Sequence, residues 1–318
     1  MDIVITGSVA YDYLMTFPGK FKDHILIDKL EAISLSFLVN SLVRRRGGIA
    51  PNIAYNLALL GGHPKIFATV GTDFVEYRAW LEEQGVDTTY AKVIDGEMTA
   101  SFFATTDQEN AQLASFYSGA MAHSPLLSLY DLKTKPDLVL VSPTEPEAMD
   151  RYIAEAKEMG IDYMYDPSQQ IVYFDGDTLR RGMDGAKAMF VNEYEFELVR
   201  RKTGLSEREV LSEMDFLVVT LGEKGVAVYQ GNDVITVKAV PPQRIMDPTG
   251  AGDAFRGGFL TGYRLGWDFH TCAQMGALSA TYCLENDGPQ GQSYTIEDYV
   301  QRYRQNYEDD QLDDLLNH

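Results

Sequence analysis

Short apolar runs alternate with amphipathic helical patterns along most of the 318 residues of this chain. Runs that are apolar at nearly every position are typical of parallel strands, because helices bury both faces of a parallel sheet. The sequence therefore predicts an α/β fold with a doubly wound, mostly parallel sheet flanked by helices, in one domain across residues 1–318. The strand candidates are Ile3–Thr6, Lys65–Val70, Leu138–Val141, Tyr163–Tyr165, Met189–Val191 and Phe216–Thr220, and the helix candidates are Ala50–Leu60, Phe74–Gln84, Glu147–Met159 and Tyr194–Thr203.

Two segments, about 13–39 and 91–117, interrupt this alternation. The first contains no clear crossover helix, and the second contains the strand-like pieces Thr99–Thr105 and Leu113–Tyr117. We expect these segments to form a small β-rich lid over one edge of the main sheet. The alternative is that they add ordinary strands to that sheet.

The charge balance limits the partners of the chain. It carries 47 acidic and 27 basic residues, so its formal net charge is −20. A field of this sign repels nucleic acid and anionic membrane surfaces, and we expect neither as a partner. No apolar run approaches the roughly eighteen residues of a membrane-spanning helix. The first residues, MDIVITGSVAYDY, predict a buried strand rather than a signal peptide.

The two cysteines, Cys272 and Cys283, fall within one stretch of helical pattern. A helix would place them roughly 16 Å apart, which is too far for a disulfide. Free thiols are typical of the reducing cytoplasm, and we expect the protein in that compartment. The five histidines are scattered singly, so the sequence does not predict a zinc site.

The segment most informative about function is Met246–Phe255, MDPTGAGDAF, which precedes a helical pattern. A small-residue turn at a helix start exposes backbone N–H groups, and the helix dipole favours a negative charge there. We therefore expect Gly250, Ala251 and Gly252 to bind a transferring phosphoryl group. Asp253 then lies where a carboxylate can accept the proton of an attacking hydroxyl. The alternative is that Asp253 caps the helix and that the glycines form a tight turn.

Two other nucleotide-binding motifs are absent from the sequence. It contains no GxxxxGK[ST], which excludes a P-loop enzyme, and no GxGxxG after the first strand, which disfavours a Rossmann dehydrogenase.

Five elements, in order along nearly the whole chain, resemble the PfkB (ribokinase-like) family of carbohydrate and nucleoside kinases. Within this family the chain is most similar to bacterial adenosine kinase-like members. MDPTGAGDAF is similar to the second signature of that family. The other elements are Asp12, the pair Gly47-Gly48 followed by Asn52, Asn192–Glu195 (NEYE) and Thr220–Gly225 (TLGEKG). The resemblance implies a ribokinase-like fold with a lid, and an ATP-dependent kinase with an alcohol as acceptor.

The resemblance also implies how the acceptor is bound. The substrate-binding residues would be Asp12, Gly47, Gly48 and Asn52, and the aspartate of the signature would be the general base. A carboxylate suits this role, because it can accept hydrogen bonds from two hydroxyls at once. Without the resemblance, Asp12 is typical of a turn and Asn52 of a helix start.

By the same resemblance, Thr220, Gly222 and Gly225 would form the turn beneath ATP, Asn192 would also bind the nucleotide, and Glu195 would order the water molecules around Mg²⁺. Taken alone, these residues predict a β-hairpin and the start of a helix, and both interpretations are compatible.

Two further sets of residues, one a candidate cation site and the other a run of arginines, flank the expected site. Asp247 and Thr249 occupy positions from which some members of the family bind a monovalent cation, so K⁺ is a further candidate cofactor. The run Arg44–Arg46 precedes the glycine pair and could face an anionic substrate. The alternative is that these arginines form a solvated face.

The strand-like pieces of the expected lid carry aromatic residues, among them Phe102 and Phe116. A purine ring stacks on an aromatic side chain, and each stacked base contributes roughly 1–3 kcal/mol. We therefore expect a nucleoside as acceptor, adenosine first, with phosphorylation of the 5′-hydroxyl. Strand alternation leaves open which of Phe102, Phe103 and Phe116 faces the acceptor.

Alternatives to a nucleoside kinase stay open at this point. A sugar kinase for ribose, fructose or a related free sugar would share the same elements, whereas a non-catalytic, ligand-sensing member of the fold would not need Asp253. Gln169 and Gln170 follow Asp166-Pro167 where many sugar kinases carry an Asn/Arg pattern, which disfavours a phosphosugar. A homodimer through the lid is a candidate assembly.

Overall fold

The computed structural model describes residues 1–25, 35–307 and 311–317. The strands in these residues are β1 (Ile3–Thr6), β2 (Ala10–Thr16), β3 (Ser41–Gly47), β4 (Lys65–Val70), β5 (Asp87–Val93), β6 (Ala100–Thr106), β7 (Gln112–Tyr117), β8 (Leu138–Val141), β9 (Asp162–Tyr165), β10 (Ala186–Asn192), β11 (Met214–Thr220), β12 (Val226–Gln230) and β13 (Asp233–Val237). The α-helices are α1 (Ile49–Leu59), α2 (Val75–Glu83), α3 (Pro146–Met159), α4 (Gly176–Met183), α5 (Glu193–Thr203), α6 (Glu207–Ser212), α7 (Ala251–Leu265), α8 (Phe269–Leu284) and α9 (Ile296–Tyr307).

The main sheet has the strand order β13-β12-β11-β10-β9-β8-β1-β4-β5. The strands from β11 to β5 in this order are parallel, and β12 and β13 add an antiparallel hairpin at one edge. Ile3 and Ile5 of β1 pack into an apolar cluster with α1, α7 and α8, whereas Val4 packs into a second cluster with α3, α4 and α5. Helices therefore cover both faces, which confirms the predicted doubly wound, mostly parallel sheet.

The small sheet is separate from the main sheet and has the strand order β3-β2-β6-β7. Its strands differ from the expected segments 13–39 and 91–117, because the sheet begins at Ala10 and includes Ser41–Gly47. Asp87–Val93 does not belong to it, since β5 pairs in parallel with β4 at the edge of the main sheet. Residues 26–34 of the first expected segment lie outside the described residues.

The strand order places a ligand site at one edge of the main sheet. From β1 the chain first adds β4 and β5 on one side and later adds β8 to β11 on the other. The carboxyl ends of β1 and β8 thus lie at a topological switch point, where α/β proteins commonly bind ligands. Strand β2 follows closely after β1, so the small sheet projects from this same edge.

Both cysteines lie in α8 and are buried free thiols, as predicted. Across the described ranges of the chain, no helix is both long enough and apolar enough to cross a membrane.

Candidate active site

An open cavity of about 440 Å³, here called the polar cavity, lies between the small sheet and the carboxyl ends of the main-sheet strands. Residues that follow β1, β9, β10 and β11 line one side of it, and residues of β2, β6 and β7 line the other. The structure therefore brings together residues that are far apart in the sequence. The predicted site residues that line this cavity are Asp12, Gly48, Asn52, Phe102, Phe116, Asn192, Glu195, Thr220, Thr249, Gly250, Gly252 and Asp253.

The turn before α7 has the geometry of an anion site. Gly250 is the N-cap residue of α7 and has a φ of 81°, in the left-handed region that favours glycine. A Cβ atom at this position would lie 2.3 Å from Cβ of Pro289, so space also excludes a side chain. The first N–H groups of a helix have no intrahelical acceptor. The N–H of Ala251 donates to the carbonyl oxygen of Pro248 at 3.3 Å, so those of Gly252 and Asp253 are the ones that can bind a phosphoryl group.

Asp253 is the third residue of α7, and Gly250 holds the cap position. The alternative that Asp253 caps the helix is therefore wrong. Its side chain is 16 % exposed and lines the polar cavity. A carboxylate at this place lies beside the anion turn and in reach of an acceptor in the same cavity.

The environment of Asp253 suits a general base. Nδ2 of Asn52 donates a hydrogen bond to Oδ2 of Asp253 at 2.9 Å, and Nη1 of Arg256 lies 4.0 Å from Oδ1. Burial raises the pKa of Asp253 to about 6, while the charge of Arg256 and the hydrogen bond from Asn52 oppose the rise. The carboxylate is therefore mostly ionised at neutral pH, and its pKa lies close to the working pH, which favours proton transfer.

Asn52 is held in turn by Gln290, which also contacts Tyr77, and the sequence singled out neither of these two residues. Nε2 of Gln290 donates to Oδ1 of Asn52 at 2.8 Å and to the hydroxyl oxygen of Tyr77 at 2.5 Å. These contacts direct the amide NH₂ of Asn52 toward Asp253. Asn52 and Gln290 are 238 positions apart, so no local pattern marks the contact.

Arg256 is a third residue that sequence reasoning missed. It is buried, it lines the polar cavity, and its Nη2 donates to Oδ1 of Asp166 at 2.6 Å. Asp166 is fully buried, and burial raises its pKa, while the charge of Arg256 opposes the rise. The guanidinium of Arg256 therefore places a positive charge near Asp253. Asp166 is its buried partner, and without that partner the buried guanidinium would be costly.

One row of residues crosses the small sheet. Asp12 lies opposite Arg45 on β3 and opposite Phe102 on β6, and Phe102 lies opposite Phe116 on β7. Residues opposite one another in neighbouring strands share a face of the sheet. Asp12, Phe102 and Phe116 all line the polar cavity, so this face is directed toward it. Burial raises the pKa of Asp12, and the charge of Arg45 opposes the rise.

Phe103 lies on the opposite face of the small sheet. Its ring stacks on that of Tyr13, with the ring centroids 4.8 Å apart and the planes at 10°. Strand alternation left open which phenylalanine faces the cavity. In the structure Phe102 and Phe116 line the polar cavity, whereas Phe103 packs behind the sheet.

The glycine pair makes room for other parts of the protein. A Cβ atom on Gly47 would lie 2.8 Å from Oδ2 of Asp12, and one on Gly48 would lie 2.5 Å from the carbonyl oxygen of Ser8. Gly48 also has a φ of 95°, which a side chain would disfavour. The pair therefore allows the Asp12 carboxylate to take its position, and only Gly48 itself lines the cavity.

A second cavity of about 540 Å³, here called the apolar cavity, lies on the other side of the anion turn. Ala251, Gly222 and Gly225 line it together with apolar residues of α8 and of the segment that follows β13. Thr220 and Gly252 line both cavities. The two cavities therefore meet at the turn, and the expected hairpin between β11 and β12 is also present.

Asn192 and Glu195 form a capping box at the start of α5, with both hydrogen bonds at 2.8 Å. The expected helix start is therefore present, and both side chains also line the polar cavity. The capping box uses one oxygen of the Glu195 carboxylate. The second oxygen leaves capacity to bind a water molecule of a hydrated Mg²⁺, which usually keeps several of its waters.

Thr249 lines the polar cavity, and the carboxylate of Asp247 pairs with Arg45. The other two arginines of the run point elsewhere. Arg44 pairs with the exposed Glu76, and the guanidinium of Arg46 lies 3.9 Å from the ring centroid of Trp80. Since neighbouring residues of a strand face opposite sides, only Arg45 is directed toward the anion turn.

Comparisons with known proteins agree with this geometry. The model of the pfkB family carbohydrate kinases matches residues 8–296. The nucleoside kinase of Methanocaldococcus jannaschii is 26 % identical over 302 residues, which cover 94 % of this chain and 96 % of that protein. The adenosine kinase of Saccharomyces cerevisiae is 25 % identical over 314 residues, which cover 89 % of this chain and 92 % of that protein.

Solved structures are similar over the same length. The nucleoside kinase of Burkholderia thailandensis in complex with inosine matches with a TM-score of 0.85 and 36 % identity, over 96 % of this chain and 98 % of that chain. Its complex with ADP-inosine matches with a TM-score of 0.84 and 37 % identity, over 96 % of each chain. Because the family model matches residues 8–296, which include the signature turn, the chain belongs to the pfkB family of carbohydrate kinases and is a phosphotransferase with the ribokinase-like fold.

Proposed function

We propose that the protein is a nucleoside kinase, which transfers the γ-phosphoryl group of ATP to the 5′-hydroxyl of a nucleoside, with adenosine as the first acceptor to test. The observation that carries this proposal is the meeting of the two cavities at Thr220 and Gly252, beside the anion turn. A nucleotide in the apolar cavity would direct its phosphates to this junction. An acceptor in the polar cavity would meet them in front of Asp253, and such alignment supplies much of the rate enhancement.

The proposed chemistry depends on positioning and charge, as in other phosphoryl transfers. Asp253 accepts the proton of the 5′-hydroxyl while the hydroxyl oxygen forms a bond to Pγ. The bond between Pγ and the β–γ bridging oxygen breaks, and ADP is released. The first N–H groups of α7 stabilise the negative charge on the transferred group, and Arg256 keeps a positive charge nearby.

Mg²⁺ bound to the phosphates of ATP would neutralise charge that develops in the transition state. We propose that Glu195 orders the water molecules of this ion and that Asn192 fixes Glu195 through the capping box. Thr220, Gly222 and Gly225 would support the nucleotide, since all three line the apolar cavity.

The row across the small sheet supports a nucleoside rather than a free sugar as acceptor. Asp12 presents a carboxylate to sugar hydroxyls, and Phe102 and Phe116 present aromatic rings at the same face. The inosine bound to the Burkholderia relative and the adenosine kinase among the relatives both support a purine nucleoside.

A coupled ADP-release assay with a panel of nucleosides and free sugars tests this proposal. We expect a nucleoside to give the highest kcat/KM. Faster turnover of ribose or fructose would instead support the sugar kinase alternative. If no acceptor releases ADP while nucleosides still raise the Tm, the non-catalytic alternative is correct, because a ligand that binds the folded state stabilises it.

Asp12→Ala is expected to raise the KM for the nucleoside by about tenfold or more, because a charge-assisted hydrogen bond is worth roughly 1.5–3 kcal/mol. The KM for ATP should hardly change, since Asp12 lines the polar cavity and not the apolar one. Initial-rate kinetics with each substrate varied in turn provide the measurement. A rise in the KM for ATP alone would show that the two cavities are assigned in the wrong order.

Phe102→Ala and Phe116→Ala are each expected to lower kcat/KM for adenosine by about 5- to 150-fold, which corresponds to the roughly 1–3 kcal/mol of base stacking. Turnover of ribose, which has no base to stack, should stay nearly constant. The selectivity for adenosine over ribose is therefore the quantity to measure.

Phe103→Ala is the matched control on the same strand. It removes the ring that stacks on Tyr13 behind the sheet, so it should lower the Tm without lowering the selectivity. An equal loss of selectivity in Phe103→Ala and Phe102→Ala would mean that the effect comes from the stability of the sheet.

We also propose a homodimer through the small sheet and a location in the cytoplasm. Leu42 and Leu113 lie in one row on the same face of this sheet and are 62 % and 44 % exposed, and exposed apolar residues that share a face can bind another protein. Light scattering in solution would measure the assembly. The two buried free thiols are compatible with a reducing compartment.

A further inference from the structure

Arg45 of β3 contacts two carboxylates outside the small sheet. Its Nη1 donates to Oδ2 of Asp247 at 2.7 Å, and its Nη2 pairs with Oδ1 of Asp287. The side chains of Arg45 and Asp247 are only 23 % and 17 % exposed. A charge-assisted contact that is shielded in this way is stronger than an ion pair at the open surface.

Asp247 in turn holds the backbone that leads into the anion turn. Its Oδ1 accepts a hydrogen bond from the backbone N–H of Thr249 at 2.9 Å. The carbonyl oxygen of Thr249 accepts one from Sγ of Cys283 at 3.4 Å. The chain from Arg45 through Asp247 to Thr249 therefore ends directly before Gly250.

These contacts do not fit a monovalent cation bound by Asp247 and Thr249. Each oxygen of Asp247 already accepts a hydrogen bond, one from Thr249 and the other from Arg45, and a cation bound to the same carboxylate would lie close to the guanidinium and be repelled by it. The guanidinium already supplies a full positive charge beside the turn.

We propose that Arg45 takes the place of a monovalent cation beside the anion turn and positions this turn through Asp247. The inference rests on the proposed kinase function. Since Arg45 lies opposite Asp12 in the small sheet, the strand pair that presents a carboxylate to the acceptor also fixes the phosphate site. Arg45 is thus a positioning residue that couples the acceptor site to the phosphate site.

The proposal predicts that potassium has little effect on the wild type but activates Arg45→Ala. The wild type should show less than about a twofold change in kcat/KM when choline chloride is replaced by KCl at constant ionic strength, because Arg45 already supplies the charge. In Arg45→Ala the carboxylates of Asp247 and Asp287 lose their shared partner. The turn should then be misplaced and kcat should fall by about one to two decades.

KCl should restore a substantial part of the lost kcat in Arg45→Ala, because the two carboxylates and the vacated volume can accept a hydrated cation. KCl should also raise the Tm of Arg45→Ala more than choline chloride does, with no such difference in the wild type. Arg45→Lys keeps the charge, so it should stay independent of potassium even if Arg45→Ala fails to fold.

Arg44→Ala is the matched control. Arg44 is the neighbouring residue on β3, and it pairs with Glu76, whose side chain is 81 % exposed. Its loss should change kcat by less than about twofold, because an exposed ion pair contributes little. It should leave the potassium response unchanged.

Activation of the wild type by potassium of about tenfold or more would overturn the inference. So would a loss of activity in Arg45→Ala that KCl does not restore, since it would indicate a merely structural role. The Tm comparison needs no turnover, so it tests the inference even if no acceptor is phosphorylated and the proposed function fails.

Discussion

Asp253→Asn is expected to lower kcat by about two to four decades, the usual contribution of general acid–base catalysis. The amide keeps the size of the side chain but cannot take a proton from the acceptor at neutral pH. The affinity for nucleotide should stay nearly constant, because the apolar cavity lies on the other side of the anion turn. Steady-state kinetics and titration with a fluorescent ATP analogue measure the two quantities. A variant that keeps more than about a tenth of the wild-type kcat would exclude Asp253 as the base.

The pH dependence of the wild type tests the same assignment. Burial raises the pKa of Asp253 to about 6, so below this pH the enzyme that has not yet bound the acceptor carries the protonated side chain, which cannot act as a base. At saturating MgATP, kcat/KM for the acceptor should fall about tenfold per pH unit below about pH 6. The Tm at each pH would reveal any loss of folded protein. Full activity at pH values well below 6 would contradict the assignment.

Arg256→Met is expected to lower the free energy of unfolding by about 3–5 kcal/mol, because it leaves the buried carboxyl of Asp166 without its charged partner. Asp166 is completely buried, and its Oδ2 has no hydrogen-bond partner among the described residues, so no solvent or neighbouring donor would compensate for the loss of Arg256. Urea unfolding monitored by circular dichroism measures the change. A variant as stable as the wild type would contradict the importance of the pair.

The double variant Arg256→Met/Asp166→Leu separates stability from catalysis. Replacing a buried ion pair by apolar side chains of similar volume is often neutral for stability, so most of the lost free energy should return. The activity should not return, because the positive charge near Asp253 is still missing. The pKa of Asp253 should rise further without that charge, which moves the acid limb of kcat/KM to higher pH. Recovery of both stability and activity would show that Arg256 has only a structural role.

The parts of the fold that the sequence predicted well are those with a strong local pattern. Strands β1 and β8 are buried at every position, and their apolar runs mark them clearly. Strand β3 was missed because most of its residues are exposed and three of them are arginines, so it shows no alternation of apolar and polar positions. Strand β5 was not predicted, and its last three residues fell within the expected lid segment 91–117 although the strand pairs with β4 in the main sheet.

In the site, too, the sequence predicts local arrangements better than contacts between distant residues. The anion turn and Asp253 lie within a few consecutive residues, so the motif predicts their proximity. The contact between Arg45 and Asp247 joins residues 202 positions apart, and the pair of Asp166 and Arg256 spans 90 positions. Such contacts arise only when the sheet and helices assemble. A single sequence therefore predicts the reacting groups better than the residues that orient them.

In the proposed mechanism, recognition of the alcohol and the chemistry performed on it depend on different structural units. Asp12, Phe102 and Phe116 belong to one row of the small sheet, whereas the anion turn and Asp253 belong to the start of α7. Substitutions in the row can change which alcohol is accepted while the turn that every acceptor needs stays intact. After gene duplication, or under laboratory selection, one catalytic core can thus acquire new substrates through a few strand positions.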